Sequence, residues 1–348
     1  MKKRVFLCLS LVILLLVVFL TWGLFAPATS FPDGKFVLYV RTGSQYSDVI
    51  DSIKRNSAIQ HLFLFKWLAN RIDYPSNVKA GKYEIRNGEN LVSILRMLRN
   101  GKQTPVNLVI TKLRTKEDLA SLVGRHLECD SASVMHFLDS DDSLRRYNFD
   151  SNTVMTAIFP NTYTYFWNTT PSKIFKKFLG TYHDFWSDSR KQLADEKRLN
   201  PTTAYILASI IEEESNKQED KTRIASVYLN RLDKKMKLAA DPTVKFAMRN
   251  FELRRIYDKY LAFDSPYNTY LHEGLPPGPI CTPAFQTLDA VLNAPKTNFL
   301  YFVAKPDFSG YSNFSESYDQ HRKYAREYQH ALDSEMNKSK DSDGKNLN

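Results

Sequence analysis

A chain of 348 residues, 43% hydrophobic and 25% charged, has the balance of a folded globular protein and length enough for two domains, which excludes a disordered polymer. Its formal net charge of +10, from 48 Lys and Arg against 38 Asp and Glu, suits a negatively charged neighbour such as a membrane surface or an acidic polymer. Three cysteines are too few for a disulfide framework. With no His and Cys cluster at metal-ligand spacing and no Gly-rich phosphate loop, neither metal nor cofactor is expected.

At the N-terminus, Met1-Lys2-Lys3-Arg4 precedes 22 uncharged residues, Val5 to Ala26. That run can cross a bilayer core of about 30 Å and exceeds a secretory core of about 7 to 15 residues, so a retained anchor at 5–26 is expected. Ala26-Pro27-Ala28 resembles a signal-peptidase site, and cleavage there is the alternative. Basic residues before the span and none directly after it place residues 1–4 in the cytoplasm and the rest outside the inner membrane, where nucleic acid is no partner. Cys8 falls in the span; Cys129 and Cys281, in an oxidising compartment, are left either to pair or to stay apart.

Three copies of a strand, a turn and an amphipathic helix follow, starting at Phe36, Lys82 and Val106. In the second, Tyr83 and Ile85 alternate, Asn87-Gly88 turns, and Leu91, Ile94, Leu95 and Leu98 make a helical stripe. This copy resembles the LysM module, a small glycan-binding unit of cell-wall proteins; a plain packing unit is the other reading. An apolar helix from His61 separates the first two copies, and residues 129–155 read as a polar helical connector. "FPNTYTYFW" (159–167) opens a further region with helices from Pro171 and Pro201, and the polar tail 331–348 is expected to be unstructured.

In "AYILASIIEEES" (204–215), Leu207, Ile210, Ile211 and Glu214 share one helical face, whereas Glu212 and Glu213 project towards the polar side and are expected to be solvated. A carboxyl on an apolar face is desolvated, so its pKa rises and it can donate a proton near neutrality. An ion pair with Arg223 or Arg231 is the structural alternative. Downstream, Asp241 precedes Pro242 as a helix N-cap would. The segment from Ser265 to Pro283 packs five prolines, Pro277 among them, around Tyr267, Asn268 and Tyr270, a rigid loop able to hold an aromatic and an amide against a sugar.

"LASIIEEES", "IASVYLNRL", "DPTV", "YNTY", "GLPPGPI" and "LYFVA", in that order, closely resemble the MltG/YceG-like family of endolytic murein transglycosylases, over about residues 36 to 330. The resemblance implies an α+β, membrane-anchored enzyme that cuts peptidoglycan glycan strands internally, with a catalytic domain over 156–330, a LysM-like region over 36–128 and Glu214, the glutamate before Ser215, as catalytic residue. Asn230, Arg231, Asp241, Tyr267, Asn268, Tyr270 and Pro277 are candidate substrate contacts; Tyr267, Asn268 and Tyr270 could equally hold the loop through their side-chain hydrogen bonds, and Asn230 and Arg231 could equally be structural groups. The chain departs from the family pattern at Ala239, often Gln; at Met155-Thr156, often Glu-Gly; at Asn161, often Asp; at Thr282-Pro283-Ala284, often Asn-Pro-Gly; and at Gly310-Tyr311, where Gly and His are usual. The implied reaction leaves 1,6-anhydroMurNAc ends in cell-wall assembly and ends nascent strands, with peptidoglycan synthases as possible partners. A non-catalytic glycan-binding scaffold, and a hydrolase using Asp241 as second carboxylate, are the competing readings.

Overall fold

The computed structural model describes residues 2–253 and 255–345; Met1 and residues 346–348, at the ends of the expected cytoplasmic segment and tail, lie outside them. It is a mixed α+β protein with two compact units. The first comprises Met1–Leu108, Val123–Asp130 and Thr164–Thr170, and the second Val109–Leu122, Ser131–Tyr163 and Pro171–Asn348.

The first unit begins with α1 (Lys2–Phe25), whose stretch Lys3–Phe25 has a mean hydropathy of 3.0 and is long and apolar enough to cross a membrane, which fits a single-pass anchor. Then come β1 (Lys35–Val40), α2 (Tyr46–Arg55), α3 (Leu62–Arg71), β2 (Gly81–Arg86) and α4 (Leu91–Asn100). β1 and β2 pair antiparallel with Leu38 opposite Tyr83 and Val40 opposite Gly81, so the period-two alternation turns Leu38, Val40, Tyr83 and Ile85 into one core. The buried stripe of α4, Leu91, Ile94, Leu95 and Leu98, closes that core. Asn90 caps the helix by accepting from the Ser93 amide at 2.8 Å, and Gly101, at φ 69°, ends it in the left-handed conformation glycine adopts without strain. A surface cavity of 780 Å³ lies beside α4, lined by Arg86, Glu89, Arg96, Met97, Lys102 and Gln103 among others.

The third strand-helix copy is split between the two units. Its strand, β3 (Val106–Ile110), pairs with β4 (Asn161–Tyr165), and residues Val109–Leu122, including the start of α5 (Lys116–His126), belong to the second unit. The expected single region 36–128 is therefore divided: the strand of the third copy, in which Val106, Leu108 and Ile110 are buried, pairs with a later strand instead of with β1 or β2. The stretch read as a polar helical connector, 129–155, is largely helical, and from Ser131 it packs within the second unit. α6 (Ser131–Asp139) buries Val134, Phe137 and Leu138, an i, i+3, i+4 stripe, and Phe137 sets its ring 5.5 Å from Phe175 of α8 (Pro171–Phe185); α7 (Asp141–Arg145) and a 3₁₀ turn at Val154–Ala157 bury Leu144 and the whole of that turn.

The remaining elements of the second unit are α9 (Asp188–Glu196), α10 (Pro201–Glu214), α11 (Gln218–Asp233), α12 (Asp241–Ala247), α13 (Asp258–Leu261), α14 (Phe285–Leu292), the antiparallel pair β5 (Tyr301–Ala304) and β6 (Ser312–Ser315), and α15 (Tyr318–Lys345). The tail expected to be unstructured is helical as far as Lys345: despite its polarity, nothing from Tyr318 onward breaks a helix before Gly344. α10 is the axis of this unit. Pro201 sits in its first turn, Asn200 and Thr203 exchange capping bonds at 2.9 and 2.8 Å, and every residue from Ala204 to Ile211 is buried, against α9, α11, α12 and α14. Both Cys129 and Cys281 are free thiols; Cys281 is buried and its Sγ donates to the Ser209 carbonyl at 3.3 Å.

Because Ile211 is wholly enclosed, Ile211→Ala should cost about 2 to 5 kcal/mol in urea unfolding. A loss below about 0.5 kcal/mol, the range of surface substitutions, would contradict the central place given to α10.

Candidate active site

α10 is buried on all sides as far as Ile211, and the three half-buried glutamates that close it sit among protein groups. That fact decides the fate of the three glutamates closing α10, and it corrects the expectation that Glu212 and Glu213 are solvated. Glu212 accepts from the Lys221 ammonium at 2.8 Å and from the Thr287 hydroxyl, and Lys221 is itself buried. Glu213 accepts from Lys112 at 2.9 Å and Arg114 at 3.1 Å. Burial alone would raise the Glu213 carboxyl, but the bond from Lys112 and the two cationic charges outweigh it and hold the group below the usual glutamate range. Both residues are ion-paired structural groups.

Among the described residues Glu214 has no such ion-pair partner. Its Oε1 accepts from the Tyr228 hydroxyl at 2.6 Å, the partner being a neutral side chain 1% exposed on α11, and neither Arg223 nor Arg231 forms a salt bridge with it. Burial pushes the Glu214 carboxyl up to about 7; the Tyr228 bond opposes this, the Asp241 charge adds to it, and Lys245 and Arg231 offset part. Its place in the last turn of α10, where the helix dipole is negative and no basic residue stands, works in the same direction as burial. The outcome is a carboxyl that exchanges its proton near neutrality and has one oxygen fixed by a donor.

Ile224, Val227, Tyr228 and Arg231 follow the same i, i+3, i+4, i+7 spacing that singled out Glu214, so the helix-face rule applied to α11 was the signal that could have found Tyr228. Asp241 is not the N-cap of α12: Ala240 holds that position without a side-chain bond, and Asp241, the first helical residue, is exposed. Its Oδ1 instead accepts from the Tyr270 hydroxyl at 2.6 Å. Burial, followed by that bond and the Asp241 charge, drives the Tyr270 hydroxyl pKa upward, so Tyr270 stays a donor. Thr269 pins this loop to the start of α12, accepting from the Ala240 amide at 3.0 Å and meeting the Thr243 hydroxyl at 2.9 Å. Ala239, standing where relatives often have Gln, has φ 48° and donates its amide to the Thr269 carbonyl at 3.1 Å.

Other candidates serve the framework. Asn230 donates to the carbonyls of Thr297 and Phe299 at 2.8 and 2.9 Å, and Arg231 to those of Leu300 and Leu238, each at 2.7 Å, so the pair ties α11 to the chain entering β5. Asn268 is fully buried and donates to the Leu261 and Phe263 carbonyls at 2.9 and 2.8 Å, while its Oδ1 accepts from the Tyr270 amide. Tyr267 packs its ring 4.7 Å from Phe246. Pro277 is exposed, beside a buried Gly278 whose Cβ, were it present, would lie 2.3 Å from the Asn152 carbonyl oxygen. The proline loop is also fastened to α10, since the Ile280 amide donates to Ser209 Oγ at 3.0 Å. The site thus brings together Glu214, Tyr228, Asp241 and Tyr270, with Asn230, Arg231 and Asn268 holding the backbone around it.

Against this geometry, the model of the YceG-like family matches residues 38–327, which contain all of these groups. The chain belongs to the YceG-like family. Among similar proteins, an endolytic murein transglycosylase of Bacillus subtilis is 28% identical over 304 residues, covering 83% of this chain and 83% of that protein. A protein of the same name from Streptococcus pneumoniae is 26% identical over 298 residues, covering 75% of this chain and 53% of the relative, so the match spans about half of the pneumococcal protein. A crystal structure of a YceG-like protein of Listeria monocytogenes superposes with a TM-score of 0.55 at 26% identity, covering 84% of this chain and 99% of the other.

The raised carboxyl has a stability signature. Glu214 keeps in the folded state a proton that the unfolded chain releases near 4.5, so its favourable contribution is complete below that pH and is lost as pH rises through about 7. Glu214→Gln removes this dependence. Thermal unfolding should place the variant level with the native chain at pH 4.5 and above it at pH 8, by at most about 3 kcal/mol; a difference that does not change with pH would mean the carboxyl is not perturbed.

Proposed function

We propose that the chain is a membrane-anchored endolytic lytic transglycosylase of peptidoglycan, cutting between MurNAc and GlcNAc inside glycan strands and leaving 1,6-anhydroMurNAc ends. The observation that carries this is the single desolvated carboxyl of Glu214, bonded to Tyr228 and poised near neutral pH, in a chain of the YceG-like family. The names of the Bacillus subtilis and Streptococcus pneumoniae relatives support the substrate and the reaction.

In this reading Glu214 starts protonated. It gives its proton to the oxygen linking MurNAc C1 to the next GlcNAc, and that bond breaks as positive charge develops on the ring. The carboxylate left behind then takes the proton of the MurNAc 6-hydroxyl, whose oxygen attacks C1 and closes the anhydro ring. No water is consumed, and Glu214 ends as it began. Tyr228 holds Oε1, which leaves Oε2 as the oxygen that gives and retrieves the proton. Asp241, oriented by Tyr270, contributes negative charge beside Glu214 and so favours its protonated form before the first step. Asp241 also keeps a second reading open, hydrolysis with that carboxylate activating water.

We place residues 1–4 in the cytoplasm and the remainder outside the inner membrane, with α1 as anchor, an arrangement supported by the basic residues ahead of the apolar run. The LysM-like reading of the first unit gives it the task of holding glycan, for which the cavity beside α4 offers charged and amide groups. Internal cutting close to the membrane suits termination of nascent strands alongside peptidoglycan synthases.

Digestion of purified sacculi in ¹⁸O-labelled water separates these readings. The native chain should release anhydro ends without label, and Glu214→Gln should lower turnover by about a hundredfold or more. Activity should fall as pH rises above about 7, because the donor must be protonated. Labelled reducing MurNAc ends would establish the hydrolase, and undiminished turnover in Glu214→Gln would remove Glu214 from the chemistry.

A further inference from the structure

Three residues beyond Glu214, in the turn between α10 and α11, Lys217 leaves the helix with its amide donating to Ser215 Oγ at 3.1 Å. Its ammonium lies 5.0 Å from the ring centroid of Tyr311, and the Lys305 ammonium lies 5.8 Å from the same ring. Tyr311 stands in the turn between β5 and β6. Gly310 beside it, at φ 80°, makes room for the lysine: a Cβ there would stand 3.2 Å from Lys217 Cε. Further along this hairpin, Arg223 sets its guanidinium 5.8 Å from the ring of Phe314.

Among the described residues neither lysine forms a salt bridge. Asp307, the carboxylate on this hairpin, accepts from the amide and hydroxyl of Ser309 at 3.0 and 2.6 Å and feels the Lys305 charge without forming an ion pair with it. Lys217 and Lys305 each set an ammonium beside the Tyr311 ring, and since an exposed cation gains only about 0.5 to 1 kcal/mol there, a local excess of positive charge is left for a ligand to balance. An anion bridging them relieves it through charge-assisted hydrogen bonds.

We infer that Lys217, Lys305 and Tyr311 form a subsite for a carboxylate carried by the muramyl residue of the glycan. The inference rests on the murein-cleaving reading above and adds to it what the enzyme recognises beyond the sugar ring. GlcNAc is neutral, so the anion belongs to the muramyl unit. It comes either from the stem peptide or, where the peptide has been removed, from the lactyl group. In both cases the contact sits next to the turn that follows Glu214 and fixes the muramyl unit relative to the proton donor.

Binding can be read without cleavage. The full chain in detergent, carrying Glu214→Gln, is pelleted with insoluble peptidoglycan, either intact or stripped of stem peptides by an amidase, at low and high salt. Adding Lys217→Gln and Lys305→Gln should weaken binding about fivefold at low salt, with the gap closing as salt screens the charges. The charge-matched pair Lys173→Gln and Lys176→Gln, on the exposed side of α8, should leave binding unchanged. A gap only on intact material assigns the carboxylate to the stem peptide; a gap only on stripped material assigns it to the lactyl group. Equal binding by the variant on both materials, an equal loss in the α8 control, or no binding by any form would overturn the subsite. Failure of the cleavage reading would instead appear in the products from sacculi, which this assay does not use.

Discussion

The second unit depends on one constraint: α10 is enclosed by protein along its whole length from Ala204 to Ile211, and the three half-buried carboxylates at its end find partners inside the fold. Burying an unpaired charge is far more costly than burying a methyl group, and each glutamate resolves the problem differently. Glu212 reaches a buried lysine and a threonine, and Glu213 reaches a lysine and an arginine from the segment ahead of α5. Glu214 accepts from a tyrosine hydroxyl and, with no ion-pair partner among the described residues, holds its proton up to about pH 7. Ion pairing makes the first two structural. Its absence makes the third chemically available.

Much of the surrounding structure keeps that arrangement in place. Ser209 fastens the proline loop to the face of α10, Thr269 fastens the following loop to α12, and Asn230 with Arg231 fastens α11 to the chain entering β5. Asn230 and Arg231 are candidate substrate contacts by sequence, because an amide or guanidinium near a candidate catalytic glutamate looks the same in sequence whether it faces a sugar or a backbone carbonyl. Tyr270, another such candidate, differs from them, since its hydroxyl turns to Asp241 at the site.

The parts of the fold governed by local periodicity were legible. Leu91, Ile94, Leu95 and Leu98 bury as their spacing requires, and so do Leu207, Ile210 and Ile211, although α10 is buried on every side there and its three closing glutamates are all half-buried. What the spacing could not reveal is what covers the opposite face. An amphipathic reading assumes water there, and for Glu212 and Glu213 it is replaced by Lys221, Lys112 and Arg114, residues distant or unremarkable in sequence. The same limit divided the third strand-helix copy, whose strand pairs with β4 far along the chain, and hid the hydrophobic stripe of α6 inside a polar stretch. Asp241 was misplaced by a single residue: Asp before Pro has cap chemistry, yet the helix starts one residue earlier and frees the carboxylate for Tyr270.

The central claim is that burial, with a lone tyrosine donor, holds the Glu214 carboxyl at a neutral pKa, and ¹³C NMR of the side-chain carboxyl measures it directly. With the resonance assigned by its disappearance in Glu214→Gln, the native chain should titrate with a midpoint near 7. In Tyr228→Phe the midpoint should move higher, since the lost bond favours the ionised form. A midpoint near the ordinary glutamate value of 4.5 in the native chain would contradict the account.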